Sequence, residues 1–196
     1  MPGSFYNATN VRVGEAILHL QPYVAATPPT MPADSVPLFT AYSAPWVSAG
    51  ATEDGFRLAM GKTTQDHTIE EQSTPAMIAV TARSARIQAT LSEDSLNSMI
   101  WTYGTGTIAT TAPGASTMGK SVLTLDAGLY VVSAILETQN KYGLPRRILI
   151  PRMVASGDVE TAFRRAAAKR TYPLNLIAIC PVSEIQIVEY TAPATT

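Results

Sequence analysis

The run Met77-Ile-Ala-Val-Thr-Ala-Arg-Ser-Ala-Arg-Ile-Gln-Ala-Thr-Leu91 decides the fold class. Ala85, Ile87, Ala89 and Leu91 fall on one face and Arg86, Gln88 and Thr90 on the other, the period of a half-buried β-strand. Ile78 and Val80 sit on the opposite phase, so a bulge or bend is expected near residues 82–84. The run is much longer than the usual strand of about five or six residues. Long amphipathic strands suit a barrel wall or a large curved sheet, and the chain is expected to be mainly β.

Immediately downstream the period changes. Leu96, Met99, Ile100 and Tyr103 recur at helical spacing. Ser92 is a suitable N-cap, Glu93 and Asp94 place negative charge in the first turn, and Gly104 suits the C-terminal stop. One α-helix over about residues 92–103 is predicted. Residues 104–121, rich in Gly, Thr, Ala and Ser, read as a loop. Residues 122–126 and 129–138 then form a predicted hairpin whose second strand is apolar on both faces, hence central. A strand over residues 146–154 contains Pro151, which implies an edge or a bulge. Residues 158–170 stay ambiguous: their alanines and arginines favour helix, while the turn-like Ser156-Gly157-Asp158 favours a strand connection. Residues 183–190 alternate as a last strand.

Upstream, residues 11–18 read as a short first strand with a turn at Gly14. Pro22, Pro28, Pro29, Pro32, Pro37 and Pro45 follow; each fixes φ and removes a donor. Residues 1–45 are therefore expected to be an extended arm or a long connection lying over the surface. Asp54-Gly55 is a turn dipeptide with access to positive φ. The polar stretch after it, closed by Thr74-Pro75, predicts a long loop over about residues 50–74, which calls for binding or flexibility as its reason.

The 196 residues suffice for one domain with a real core. Only 15% are charged against 46% hydrophobic, low beside a usual charged share of about 25%. Burying surface against neighbours is one remedy for so bland an exterior; a monomer rich in small residues is the other reading. A net charge of −1 argues against a sequence-specific nucleic-acid binder or a polybasic membrane anchor. Cys180 is the single cysteine, so no intrachain disulfide forms, and a buried inert thiol is expected. No export signal or membrane span is read.

Catalytic and metal chemistry find little support. His19 lies in an apolar run and is expected to be a hydrogen-bonded core histidine; His67 sits in the polar stretch. Neither has metal-pair spacing. Gly104-Thr-Gly106 follows a helix instead of opening one, so no helix N-terminus faces a phosphate. No nucleophile motif marks a Ser-His-Asp site. No cofactor, no metal and no enzymatic activity are expected.

The order of features resembles the major tail tube proteins of long-tailed, siphovirus-type bacteriophages. The residues that carry the resemblance are Trp46, Gly50, Thr52, Asp54 and Gly55; Thr74-Pro75; Thr90-Leu91-Ser92-Glu93 leading into the helix; and Tyr103-Gly104. It extends over residues 11–104, and over the C-terminal half in pattern. It implies a β-sandwich or partial barrel with one flanking helix, the sandwich occupying residues 46–196. It further implies hexameric rings stacked into a hollow tube, in the virion, assembled in the bacterial cytoplasm. The implied partners are other copies of the chain, tape measure and terminator proteins, and DNA in non-specific passage. Trp46, Glu53, Asp54, Gly55, Phe56, Arg57, Asp66 and His67 are then expected at the subunit interface. Arg86, Gln88, Glu160 and Arg164 are expected on lumen-proximal strands, with residues 158–170 as strand. The alternatives are a tail terminator, connector or baseplate protein, or a monomeric β-sandwich module that binds a ligand.

Overall fold

The computed structural model describes residues 15–67, 77–160 and 170–192. Among these residues it is mainly β with a single α-helix, as the periodicities predict. The strands are β1 (Ala16–Pro22), β2 (Val47–Ser48), β3 (Arg57–His67), β4 (Met77–Leu91), β5 (Thr107–Thr111), β6 (Lys120–Thr124), β7 (Val131–Gln139), β8 (Pro145–Ala155), β9 (Tyr172–Ala178) and β10 (Gln186–Glu189). The helix α1 (Leu96–Tyr103) follows β4. The main sheet runs β2-β1-β7-β8-β9-β4-β3, with β10 also on β8.

This sheet curls until its hydrogen bonds close a circuit. After β2 pairs with β1, the Ala49 N–H donates to Leu18 O, and the chain crosses to the end of β4. There Glu53 N–H donates to Thr90 O and Ser92 N–H to Ala51 O, with Thr52 opposite Leu91. The result is a small barrel rather than two stacked sheets. The alternating faces of the strands fill it: Leu18 and Leu20, Ala85, Ile87 and Leu91, Val132 and Ala134, Ile148 and Ile150, Leu174 and Leu176 form one buried cluster. Trp101 and Ile100 of α1 join that cluster.

The crossover is clasped by Glu93. Its Oε1 accepts from Ala51 N–H at 2.9 Å, and Gly50 lies so close that a Cβ there would sit 2.7 Å from the carboxylate. Ser92 is likewise committed to Ala51 O. The helix therefore starts later than its composition suggests, with Ser95 as N-cap accepting from Ser98 N–H at 3.0 Å. The expected acidic first turn is absent because both acids serve tertiary contacts. Asp94 accepts from the Tyr172 hydroxyl at 2.6 Å and from Arg170 at 2.8 Å. Those bonds, Tyr172's first, hold the Asp94 carboxyl below its usual range; burial and then Asp94 push Tyr172 up to about 12. At the other end Gly104, at φ 67, closes the helix as expected.

Three further expectations change. Residues 16–22 are not part of an arm: β1 lies inside the sheet between β2 and β7. Residues 104–121 are not all loop, because β5 and β6 pair as a separate two-stranded hairpin; β6 therefore pairs with β5 and not with β7. Residues 158–160 are irregular, and residues 161–169, with Arg164, lie outside the described residues. The bulge implied by Pro151 is present, as a register shift between Val132 and Ala134 opposite residues 150–153.

The proline-rich residues 23–46 form a strap across the outer face of β1, β7 and β8. This is why β7 is apolar on both faces: Ile135 and Leu149 pack outward against Tyr42, Met31, Val36 and Trp46. At its centre lies a fully buried ion pair, Arg147 Nε to Glu137 Oε1 at 2.8 Å, on residues opposite each other in β7 and β8. Glu137 also accepts from Phe39 N–H at 2.9 Å and from the Tyr42 hydroxyl at 3.0 Å. Arg147 donates to Ala33 O at 3.2 Å and Val36 O at 2.6 Å. The strap is thus read by one carboxylate and one guanidinium.

His19 of β1 lies beneath it, buried, stacked on Tyr42 at 4.0 Å between ring centroids. The expectation of a core histidine holds, but its Nε2 has no hydrogen-bond partner. Burial lowers its pKa from 6.5, Glu137 opposes that shift, and Arg147 reinforces it.

Truncation by Arg147→Ala leaves Glu137 buried and uncompensated, and should cost about 3–5 kcal/mol in urea unfolding, with new proteolytic cleavage within residues 23–46. For His19 the sign follows from its depressed folded pKa. The unfolded chain takes up the proton more readily, so stability is complete above pH 6.5 and is lost as pH falls through that value. The wild type should lose more stability between pH 7.5 and 5.5 than His19→Phe, compared by urea midpoints; equal losses would exclude the effect.

Candidate assembly surface

β3 and β4 pair from Arg57–Gln88 to His67–Met77, whereas β9 accompanies β4 only along Arg86–Leu91. Beyond Arg86 the pair leaves the barrel as a two-stranded ribbon. The expected polar loop of residues 50–74 is therefore mostly strand over 57–67. Its residues are polar because both faces meet solvent, not because the backbone is irregular: residues 61–65 and 82–84 are all exposed. Residues 68–74 of that loop lie outside the described residues. β3 is the terminal strand of the sheet, and among the described residues its outer edge has no partner strand.

Two irregularities shape the ribbon. Between Thr52 and Arg57 the chain takes five steps, while their partners Leu91 and Gln88 are three apart. The two extra residues make a bulge at Asp54-Gly55, with Gly55 at φ 75 donating its N–H to Thr52 Oγ1 at 3.1 Å. The dipeptide thus bends one continuous path along β4 instead of closing a hairpin. The second bulge leaves Thr81 unpaired, between Thr63–Ala82 and Thr64–Val80. It answers the phase conflict in the sequence, one residue from the expected segment. By shifting β4 one position it returns Val80 to the face of Ala85 and Ile87. The core-facing side of β4 therefore continues outward to two exposed apolar residues, Met60 and Val80, 45% and 46% exposed, with the Lys62–Arg83 pair between them.

The sequence-predicted interface residues separate into three places. Asp54, Gly55 and Arg57 line a shallow cavity of about 310 Å³ together with Gln88, Thr90 and Asn175. Glu53 is exposed beside them, and Phe56 packs against the barrel core. Asp66 and His67 occupy the far end of β3, opposite Ile78 and Met77, roughly 30 Å along the strand from Arg57. Trp46 lies elsewhere, half-buried at the end of the strap against the Tyr42 cluster. Of the expected lumen residues, Arg86 and Gln88 are exposed on one face of β4, and Glu160 is exposed in the segment after β8.

Among the described residues, the arginines of the second half are neutralised within the chain. Arg146 pairs with Glu189, Arg147 with Glu137, Arg152 with Glu184 and Arg170 with Asp94. Trp101 is buried rather than presented to a ligand. Among the described residues no cluster of His, Cys, Asp or Glu could hold a metal ion, and no helix is long and apolar enough to cross a membrane. Sequence reasoning passed over Lys62, Arg83, Met60, Val80 and Asn175. The phase conflict at Val80 was the signal for the exposed apolar residues; the others depend on cross-strand register, which one strand alone does not reveal.

No family model matches the chain, and no curated protein is significantly similar to it.

If the ribbon is external to the folding unit, Met60→Ser and Val80→Ser should each change unfolding free energy by no more than about 0.5 kcal/mol. Ile87→Ala, on the same face inside the barrel, should cost about 2–5 kcal/mol. Equal costs at the three positions would place the ribbon within the cooperative core.

Proposed function

We propose that this chain is a structural virion protein, the major tail tube subunit of a long-tailed bacteriophage, without catalytic activity. It assembles into hexameric rings that stack as a hollow conduit for the genome. The observation that supports this reading is the β3–β4 ribbon: a pair of long strands that leaves the barrel with an open edge of eleven residues. An isolated two-stranded ribbon is marginal in water, and an open edge is a template for another chain. Both are satisfied when a second copy covers them. The near-neutral net charge of −1 suits a conduit that must not hold phosphate. In this reading the assembled tube meets tape measure and terminator proteins, forms in the host cytoplasm and resides in the virion tail.

Negative-stain microscopy of the concentrated protein should show extended hollow tubes. Closed rings that never stack would favour a terminator or connector, and a persistent monomer that binds a glycan or peptide would overturn a virion role. The ribbon's part is tested by replacing residues 62–83 with Asn-Gly, which leaves Gly61 opposite Ser84 as the last pair before a two-residue turn. The shortened chain should melt within a few degrees of the parent and form no tubes. Tubes from the shortened chain would exclude the ribbon as the assembly element.

A further inference from the structure

We propose that the cavity enclosed by the strap receives a proline-rich peptide in extended polyproline II form, whose carbonyls accept from the Gln21 carboxamide and the Trp46 indole. The site lies away from the β3–β4 ribbon and does not depend on the assembly reading.

β1 and β2 pair as far as Leu20 and Val47. Gln21 and Trp46 occupy the next position of that ladder, so the strap leaves and returns side by side. Between its two limbs lies a cavity of about 580 Å³, within the range of roughly 300–1,000 Å³ usual for ligand sites. The alternation of β1 sends Leu18 and Leu20 into the barrel core and turns Gln21 outward, where it lines the cavity. Gln21 is only 6% exposed, yet its carboxamide makes no hydrogen bond with any described residue, and neither does Trp46 Nε1. His19 Nε2 and Ser133 Oγ are also unpaired, but these are sealed off; the Gln21 and Trp46 groups keep contact with solvent. Buried polar groups are rarely left without a partner, and here two N–H donors await one in the same cavity.

The walls select the class of ligand. Among the described residues no charged side chain lines the cavity, so an ion would lose its water and gain no counter-charge. A saccharide would set most of its hydroxyls against Val24, Met31 and the prolines, again without partners. Tyr42 commits its hydroxyl to Glu137 and offers only its ring, beside the ring of Trp46. A chain cannot add here as a β-strand, because the prolines of the wall have no N–H to continue a ladder. A polyproline II segment asks for none of this. It carries apolar rings, has no internal hydrogen bonds, and leaves its carbonyls free for outside donors; aromatic-lined grooves recognise it in this way. The Glu137–Arg147 pair already fixes the strap, so little ordering is left to oppose binding.

The test is a titration of the full chain, labelled with nitrogen-15 and kept dilute, with blocked heptaproline. The side-chain N–H resonances of Gln21 and Trp46 should shift saturably, while the indole of Trp101, buried in the barrel, stays in place. Gln21→Leu and Trp46→Phe each remove one donor and keep most of the apolar surface. Each should weaken binding about three- to tenfold, with melting curves confirming the fold. The wild-type titration decides by itself if either variant fails to fold. Heptaproline that causes no saturable shift up to its solubility limit would overturn the proposal. So would folded variants that bind like wild type, or equal shifts from a blocked glycine–serine heptapeptide. Shifts from maltohexaose in place of heptaproline would assign the cavity to a saccharide instead. Each of these results leaves the assembly reading untouched, since that reading is decided by tube formation.

Discussion

The buried pair between Glu137 and Arg147 is the constraint on which the rest of the molecule depends. A buried ion pair is no bargain by itself, because desolvation offsets most of its attraction. Here each ion binds main-chain groups of the strap: Glu137 takes the Phe39 N–H, and Arg147 takes the Ala33 and Val36 carbonyls. Proline-rich chain cannot pair with itself as helix or sheet, so residues 23–46 need fixed donors and acceptors from outside. The pair supplies them at one point, and the apolar side chains of the strap then cover Ile135 and Leu149. Three strands become buried on both faces, which is how a chain with few charges builds a substantial core.

Closure of the barrel depends on a smaller clasp with the same logic. Crossing from β1 to β4 leaves Ala51 with a donor and an acceptor to satisfy, and Glu93 and Ser92 meet them. Gly50, at φ 93, permits both the turn and the close approach of the carboxylate. Because Glu93 and Asp94 are held by these contacts and by Tyr172, they cannot also serve the helix dipole. Composition alone gave them that second role.

The mainly β character, the helix with its Gly104 stop, and the bulges at Thr81 and Pro151 were legible in the sequence, since each depends on a local period or a local breaker. The helix start, the β5–β6 hairpin and the ribbon were not. Polarity between two turn signals has two physical causes, irregular backbone or a strand wet on both faces, and residues 61–65 belong to the second. Residues 104–121 have the same ambiguity with small side chains. Glu137, directly after the largely apolar residues 131–136, is a visible anomaly in the sequence; that its partner is Arg147 is a matter of register between two strands. Of the candidate surface, Asp54, Gly55 and Arg57, expected together, line one cavity, and Gln88, expected on a separate lumen-proximal strand, lies beside them, while Trp46 is drawn away by the strap.

The ribbon resists explanation by the needs of the monomer. Among the described side chains its outer half adds nothing to the buried cluster, and it carries an open edge, exposed Met60 and Val80 and an opposed pair of cations. Natural sheets blunt an open edge with charge, lysine above all, because charge rejects indiscriminate pairing. Lys62 and Arg83 perform that service in the free chain: an uncharged strand laid on this face leaves both of them desolvated and unpaired. In the proposed assembly the same charges would also discriminate among neighbours, so that one feature limits indiscriminate pairing of the free chain and biases the choice of partner.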